Sequence, residues 1–194
     1  MNKNTDQTLP DYVVINDLSI PEIKRIGLRT PSQNVSFPLS DEDRAILNIL
    51  EAKHDEYKGS VTGLAAPQIG FNKRMIVFSV QYDPEIKKIR PDFVETMAKS
   101  IWLNPTYQPL TDELKSDYDL CLSVKGIVGK VKRYTRIKYT ANLPDGTYIE
   151  GEASGFLARI IQHEIDHING ILFIDKAEKD SIITTEDYLK SIGV

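Results

Sequence analysis

The fold of this chain is decided by one stretch, Ser154-Gly155-Phe156-Leu157-Ala158-Arg159-Ile160-Ile161-Gln162-His163-Glu164-Ile165-Asp166-His167-Ile168, which is followed by Asn169-Gly170. At 3.6 residues per turn, this pattern predicts a helix that is apolar around most of its circumference. Four residues remain for a strip that faces solvent: Ala158, Arg159, Gln162 and Asp166. We expect such a helix to be buried among strands, with Ser154 capping its start and Gly170 ending it.

Two histidines of this helix share one face. His163 and His167 are one turn apart, so both imidazoles can bind a single metal ion. Glu164 is rotated by about 100° from His163, which places it beside such an ion as a proton-transfer group. This H-E-x-x-H spacing is the pattern of zinc hydrolases. The alternative is an ordinary helix with two surface histidines that have this spacing by chance.

The composition is typical of one globular domain, residues 1–194, that is large enough to bury a core. A net charge of -4 argues against a nucleic-acid-binding protein, which needs a clustered positive surface. The basic run from Lys125 to Arg136 is interpreted as an exposed strand face. The sequence has a single cysteine, Cys121, and shows neither a signal peptide nor an apolar run long enough to span a bilayer. These features predict a cytoplasmic protein without a membrane or nucleic-acid partner.

A second informative segment is Gly63-Leu64-Ala65-Ala66-Pro67-Gln68. Small residues and a proline in an apolar stretch indicate that the backbone closely approaches another element or a ligand. A buried amide needs partners, so Gln68 either bridges structural elements or contacts a substrate. The preceding residues 41–57 predict an amphipathic helix capped by Ser40, on which His54 is interpreted as a packed histidine.

The remaining pattern predicts mostly short strands. A strand at Met75–Val80 is followed by a charged insertion, Gln81 to Ser100. The segments Tyr134–Leu143 and Thr147–Ala153 are expected to form a hairpin around Pro144-Asp145-Gly146. The further expectations are a strand at 101–103 closed by Asn104-Pro105, a polar loop at 111–119, a strand-like run at 120–124, a brief strand at 171–174 and a terminal helix at 185–192. Residues 1–38 are expected to wrap the surface as an arm, with Tyr12–Ile15 as its ordered part.

A catalytic zinc-type site takes three protein ligands, and the helix provides two of them. The sequence leaves the third open among Cys121, His54 and many carboxylates. A lone cysteine is usually a small buried hydrophobic residue. In a chain whose histidine pair has the spacing of metal ligands, Cys121 becomes a stronger candidate for a thiolate ligand. Thiolate and imidazole together suit Zn(II), Fe(II), Co(II) or Ni(II).

Three motifs in this order and spacing resemble the peptide deformylase family: Gly63 to Gln68, Cys121-Leu122-Ser123, and Gln162 to His167. The resemblance covers about residues 59–175. It implies an α+β fold in which small antiparallel β-sheets wrap around a buried central α-helix that carries the H-E-x-x-H motif. It also implies hydrolysis of the N-formyl group from the terminal methionine of nascent chains at the ribosome. We expect the protein to be a monomer.

The resemblance further implies a role for each matched residue. Cys121, His163 and His167 would bind one divalent metal ion, Fe(II) in the cell, with Zn(II), Ni(II) or Co(II) as substitutes. Glu164 would be the general acid/base while hydroxide on the metal attacks the formyl carbon. Gln68 and the backbone N–H of Leu122 would stabilise the oxyanion, and Gly63 would offer a backbone contact to the formyl-peptide.

A pocket for the methionine side chain is expected on the histidine face of the helix. Phe156 and Ile160 share the face of His163 and are apolar, and Thr62 is expected nearby. These three residues are therefore candidate substrate-binding residues.

This sequence departs from the family pattern at four positions. Val61 and Leu120 stand where glycines are usual, Asp119 replaces a glutamate, and Lys125 replaces a proline. Leu120 could narrow the cleft, because a glycine beside a ligand often lets substrate approach closely. Two alternatives to an active deformylase therefore remain: an inactive or re-targeted metal-binding relative, and a metallopeptidase.

Overall fold

Two antiparallel β-sheets pack against one central helix. The structure is a computed structural model that describes residues 8–57, 59 and 61–193. The strands are β1 (Val61–Ala65), β2 (Met75–Val80), β3 (Met97–Pro109), β4 (Leu114–Cys121), β5 (Val124–Tyr134), β6 (Arg136–Asn142), β7 (Tyr148–Ser154) and β8 (Ile183–Thr184). One sheet has the order β1-β2-β3-β6-β7 and the other has the order β4-β5-β8.

Six α-helices complete the described part of the chain. They are α1 (Glu22–Gly27), α2 (Asp41–Asp55), α3 (Pro84–Ile89), α4 (Gly155–Ile168), α5 (Phe173–Lys176) and α6 (Thr185–Ser191). Short 3₁₀ turns cover Ala66–Ile69 and Lys179–Ser181. None of the helices in the residues described is both long and apolar enough to cross a membrane.

Helix α4 forms the centre of the core, as its sequence predicts. Leu157, Ile161 and Ile165 are buried against residues of the five-stranded sheet such as Phe78 and Trp102. The other side of α4 contacts β5 of the three-stranded sheet. The expected α+β architecture, with small antiparallel sheets around a buried helix, is therefore confirmed.

The predicted solvent-facing strip of α4 is wrong. Ala158, Arg159, Gln162 and Asp166 are all buried, with at most 4% of each residue exposed. The polar side chains are satisfied by protein groups: the amide of Gln162, for example, bonds both the N–H and the carbonyl of Tyr134. The second sheet covers this side of the helix, and the helix sequence alone gives no sign of those partners.

The start of α4 is fixed differently from the prediction. Ser154 occupies the N-cap position, but its N–H and its Oγ donate to the carboxylate of Glu95, at 3.0 and 2.6 Å. Gly155 has φ +55°, and a Cβ there would lie 2.1 Å from the carbonyl oxygen of Asp92. Glu95, a residue of the charged insertion, therefore binds the N-cap residue of the helix. Gly170, at φ +74°, ends the helix as expected.

Three expected elements differ in the structure. Strand β3 continues through Asn104-Pro105. At this point Asn104 adopts φ +51°, its side-chain amide bonds the N–H and the carbonyl of Val35, and the pairing register with β6 shifts. The predicted polar loop at 111–119 is mostly β4, whose exposed side chains give it a loop-like composition. The predicted strand at 171–174 is replaced by helix α5. In addition, helix α1 lies in the arm of residues 1–38, where no helix was predicted.

Other local predictions are confirmed. Helix α2 begins after Ser40, whose Oγ accepts from the N–H of Asp43, and His54 on this helix is buried. The strand at Met75–Val80, the β6–β7 hairpin and a terminal helix are also present. In the arm, the N–H of Val13 donates to the Gln68 carbonyl and the N–H of Ile15 to the Ser123 carbonyl. Residues 1–7 lie outside the described part.

We expect Ile161→Ala to lower the free energy of unfolding by about 2–5 kcal/mol, because it leaves a cavity in the core. Ile161 is 0% exposed, whereas Ile23 on α1 is 74% exposed. The matched control Ile23→Ala is expected to change that free energy by less than about 0.5 kcal/mol. Urea unfolding followed by circular dichroism measures both. Equal losses would contradict the central position of α4.

Candidate active site

Three candidate metal ligands converge from two distant segments. Cys121 is the last residue of β4, and the turn Leu122-Ser123 leads directly into β5. Its Sγ lies 3.2 Å from Nε2 of His167 on α4. One ligand atom from each of Cys121, His163 and His167 lies within 4.8 Å of the others. Because one metal ion can bridge atoms at this spacing, the structure brings together the three residues that the sequence nominated.

The protonation chemistry of these groups suits a metal. Burial holds the pKa of His167 well below its ordinary value, so its ring is neutral, which is the form that binds metals. Among the residues described, Nδ1 of His167 is buried without a hydrogen-bond partner.

The other sequence candidate for the third ligand, His54, is buried on α2 with its Nδ1 3.3 Å from Asp55. A Cys/His/His set fits a divalent transition metal.

Asp119 orients one of the two histidines. Its Oδ2 lies 3.1 Å from Nδ1 of His163 and also accepts from Nε and Nη2 of Arg133, at 3.0 and 2.7 Å. Burial alone would raise the pKa of Asp119, but Arg133, His163 and Arg159 hold it far below its ordinary value. The carboxylate is therefore ionised and can only accept, so Nδ1 of His163 carries the proton. Burial alone would lower the pKa of His163, but its hydrogen bonds with Asp119 and Cys121 raise that pKa well above the ordinary value. A metal at the other ring nitrogen would therefore displace a proton.

The carboxyl group of Glu164 is enclosed beside the histidines. Within the described part of the chain, its Oε2 is buried without a hydrogen-bond partner. Burial raises the pKa of Glu164 to about 7. Gly63 faces this carboxyl group so closely that a Cβ on Gly63 would lie 2.3 Å from Oε1. A buried carboxyl with a pKa near neutrality can both accept and return a proton.

Gln68 connects the Gly63–Gln68 segment with the cysteine hairpin, which is formed by β4 and β5 and carries Cys121. Its Oε1 accepts from the N–H of Ala65 at 2.8 Å, and its Nε2 donates to Oγ of Ser123 at 3.3 Å. The same Nε2 lies 3.7 Å from Sγ of Cys121. The side chain is buried, so the amide acts as a bridge between the two segments and presents its NH₂ group next to the thiol.

Two of the candidate substrate residues lie on α4 and the third lies on β1. Phe156 and Ile160 are partly buried at the edge of the core, and Thr62 lies on β1. The Phe156 ring packs edge-on against Phe93, with centroids 5.7 Å apart, and lies under the guanidinium of Arg90 at 4.4 Å. The charged insertion therefore covers this end of the helix.

The positions that depart from the family pattern have different surroundings. Leu120 lies between Asp119 and Cys121 at a register irregularity of β4 and is 48% exposed. Lys125 is exposed on β5. The side chain of Val61 lies outside the described residues.

An ionic network behind the histidines is absent from the sequence predictions. Arg133 joins Asp119 and Asp166, Arg159 binds Asp119, and Lys176 binds Asp166. Arg133 belongs to the basic run that was expected to be an exposed strand face, yet it is 3% exposed. One sign of this network was present in the sequence: Arg159 and Asp166, seven residues apart, share one face of an otherwise apolar helix.

Comparisons with known proteins assign the family. A family model for polypeptide deformylases matches residues 18–181. Peptide deformylase 2 of Rickettsia conorii is 43% identical over 190 residues, covering 98% of this chain and 94% of that protein. The chain belongs to the peptide deformylase family. Peptide deformylase 1 of Nitrosomonas europaea is 41% identical over 146 residues, covering 75% of this chain and 79% of that protein.

Solved peptide deformylase structures share this fold. The Met-Ala-Ser-bound class I type b enzyme of Acinetobacter baumannii superimposes with a TM-score of 0.70 at 27% identity, covering 87% of this chain and 98% of that one. The actinonin complex of the Synechococcus elongatus enzyme has a TM-score of 0.67 at 30% identity, covering 88% and 81%. This peptide deformylase is thus a hydrolase of a well-defined family.

We expect Gly63→Ala to reduce turnover of a formyl-methionyl peptide by about 10²-fold, because the added methyl group displaces the Glu164 carboxyl. Gly27→Ala is the matched control, since a Cβ on Gly27 meets nothing within 4 Å among the described residues. Formate release measures both. Full activity of Gly63→Ala would show that the position of Glu164 does not depend on this glycine.

Proposed function

We propose that this peptide deformylase uses one divalent metal ion to remove the N-formyl group from the terminal methionine of nascent polypeptides. The observation that carries the proposal is the grouping of Cys121, His163 and His167, whose ligand atoms lie within 4.8 Å of one another. The enclosed carboxyl of Glu164 beside them supports a hydrolytic role. Family membership supports the same reaction class.

The ligand set would consist of one thiolate, from Cys121, and two imidazoles, from His163 and His167. When bound, the ion supplies Lewis acidity that makes water a nucleophile near neutral pH and polarises a carbonyl group. Burial keeps the ring of His167 neutral, and Asp119 holds the proton of His163 on Nδ1. The pKa of His163 is raised, so the ion would displace the proton of the other ring nitrogen. We propose Fe(II) as the ion in the cell, with Zn(II), Ni(II) or Co(II) as substitutes for the same donors.

Glu164 would be the general acid/base. Its buried carboxyl accepts the proton of the attacking water and returns it to the amine that leaves when the formyl C–N bond breaks. Gln68 presents its NH₂ group beside Cys121, and the Leu122 N–H belongs to the adjoining turn. These two donors would stabilise the negative charge on the formyl oxygen.

The substrate would bind along β1 and the histidine face of α4. Gly63 would offer its backbone to the formyl-peptide, because it lies against the Glu164 carboxyl group. Phe156, Ile160 and Thr62 would surround the methionine side chain. The related Acinetobacter baumannii structure holds Met-Ala-Ser, a peptide that begins with methionine, which supports this substrate class.

The cellular setting follows from the reaction. We propose a monomeric cytoplasmic enzyme, one domain over residues 1–194, that meets its substrates as they emerge from the ribosome. A net charge of -4 gives no reason to invoke nucleic-acid binding.

The direct test is formate release from formyl-Met-Ala-Ser by wild type, Glu164→Gln and the exposed control Glu152→Gln. We expect Glu164→Gln to lower kcat by about 10²–10⁴-fold while one metal ion per chain is retained, because the amide cannot accept a proton. Glu152 lies on β7 in an exposed pair with Arg136, so Glu152→Gln should keep full activity.

Three outcomes would contradict the proposal. Metal binding by wild type without formate release would favour a re-targeted binding protein. Cleavage of unformylated Met-Ala-Ser would favour a metallopeptidase. Full activity of Glu164→Gln would remove Glu164 from the reaction.

A further inference from the structure

Asp119 is held on both of its carboxylate oxygens. Its Oδ2 accepts hydrogen bonds from His163 and Arg133. Its Oδ1 accepts a 2.6 Å hydrogen bond from Nη1 of Arg159, a residue of α4 itself. Arg159 and Asp119 are both buried, with at most 4% of each residue exposed. A charged hydrogen bond of this length in a dry environment strongly restricts the carboxylate.

The guanidinium of Arg159 is itself fixed in place. Its Nη2 donates to the carbonyl oxygens of Lys115 and Val131, at 2.9 and 2.8 Å, and its Nη1 also reaches the carbonyl of Asp117 at 3.3 Å. These carbonyls belong to β4 and β5, the strands that present Cys121. Arg159 therefore connects the helix that carries the histidines with the hairpin that carries the thiolate.

We propose that Arg159 is a positioning residue for the metal site, and this inference rests on the proposed function. By holding Oδ1, it rotates the Asp119 carboxylate so that Oδ2 points at Nδ1 of His163. The partner of a ligating histidine sets the orientation of its ring, and loss of such a partner typically weakens metal affinity by about 10–100-fold. Arg133 alone leaves Oδ1 without its charged donor, so the carboxylate could turn away from His163.

A purely structural role is the competing explanation, because Arg159 also binds three backbone carbonyls. Arg90 provides a matched control for that role. It is an equally buried arginine, and it pairs with Asp92 and Asp117, whereas Asp119 is held by Arg133 and Arg159. Its loss breaks the ion pairs of one buried arginine without removing a donor from Asp119.

The experiment measures the Zn(II) affinity of the folded full-length chain by competition with a chromophoric chelator. We expect Arg159→Met to weaken Zn(II) binding by about 10–100-fold. Arg159→Lys, which keeps the charge but loses the planar guanidinium, should weaken Zn(II) binding less than Arg159→Met. If the methionine variant does not fold, the lysine variant provides the test. Arg90→Met should stay within about twofold of wild type, because it leaves Asp119 in place.

A second arm tests whether Arg159 acts through Asp119. In an Asp119→Asn background, Arg159→Met or Arg159→Lys should change Zn(II) affinity by less than about threefold, because the carboxylate that Arg159 orients is gone. Wild-type affinity in the single Arg159 variants would overturn the inference, as would an undiminished effect in the Asp119→Asn background. Failure of wild type itself to bind one Zn(II) would instead overturn the proposed metal site.

Discussion

The structure depends on bringing a sulfur atom at the end of a hairpin to two nitrogen atoms on a buried helix. Cys121 and His167 are 46 residues apart, and their Sγ and Nε2 atoms lie 3.2 Å apart. This contact requires the cysteine hairpin to pack against the polar side of α4. Gln68 and Ser123 then join the hairpin to the segment after β1, and Asp119 joins it to α4 through His163.

The polar side of the helix can be buried because its charges are paired. Arg133 and Arg159 are matched by Asp119 and Asp166, and Gln162 is satisfied by the backbone of Tyr134. Burial of a charge without a partner is very costly, whereas a fully paired network has little net effect on stability but strongly favours one arrangement. The network thus contributes a defined orientation of the candidate metal ligands. The hydrophobic face of α4 contributes the burial energy through Leu157, Ile161 and Ile165.

The sequence predicted what depends on local pattern. Helix α4 and the β6–β7 hairpin follow from periodicity and turn residues, and the grouping of Cys121 with His163 and His167 follows from ordered motifs. The sequence could not show that Arg159 and Asp166 face the protein interior, because charged residues on a helix usually mark its solvent side. It also missed β4, whose polar side chains look like a loop when its partner strand is unknown. Both errors concern long-range partners, and together they hid the ionic network.

In the proposed site, one metal ion binds Cys121, His163 and His167 together. X-ray absorption spectroscopy of the Zn(II)-loaded protein tests it most directly. We expect one sulfur at about 2.3 Å and two imidazole nitrogens at about 2.0–2.1 Å from the metal, with the sulfur lost in Cys121→Ala. A first shell that contains only nitrogen and oxygen in the wild-type protein would contradict it.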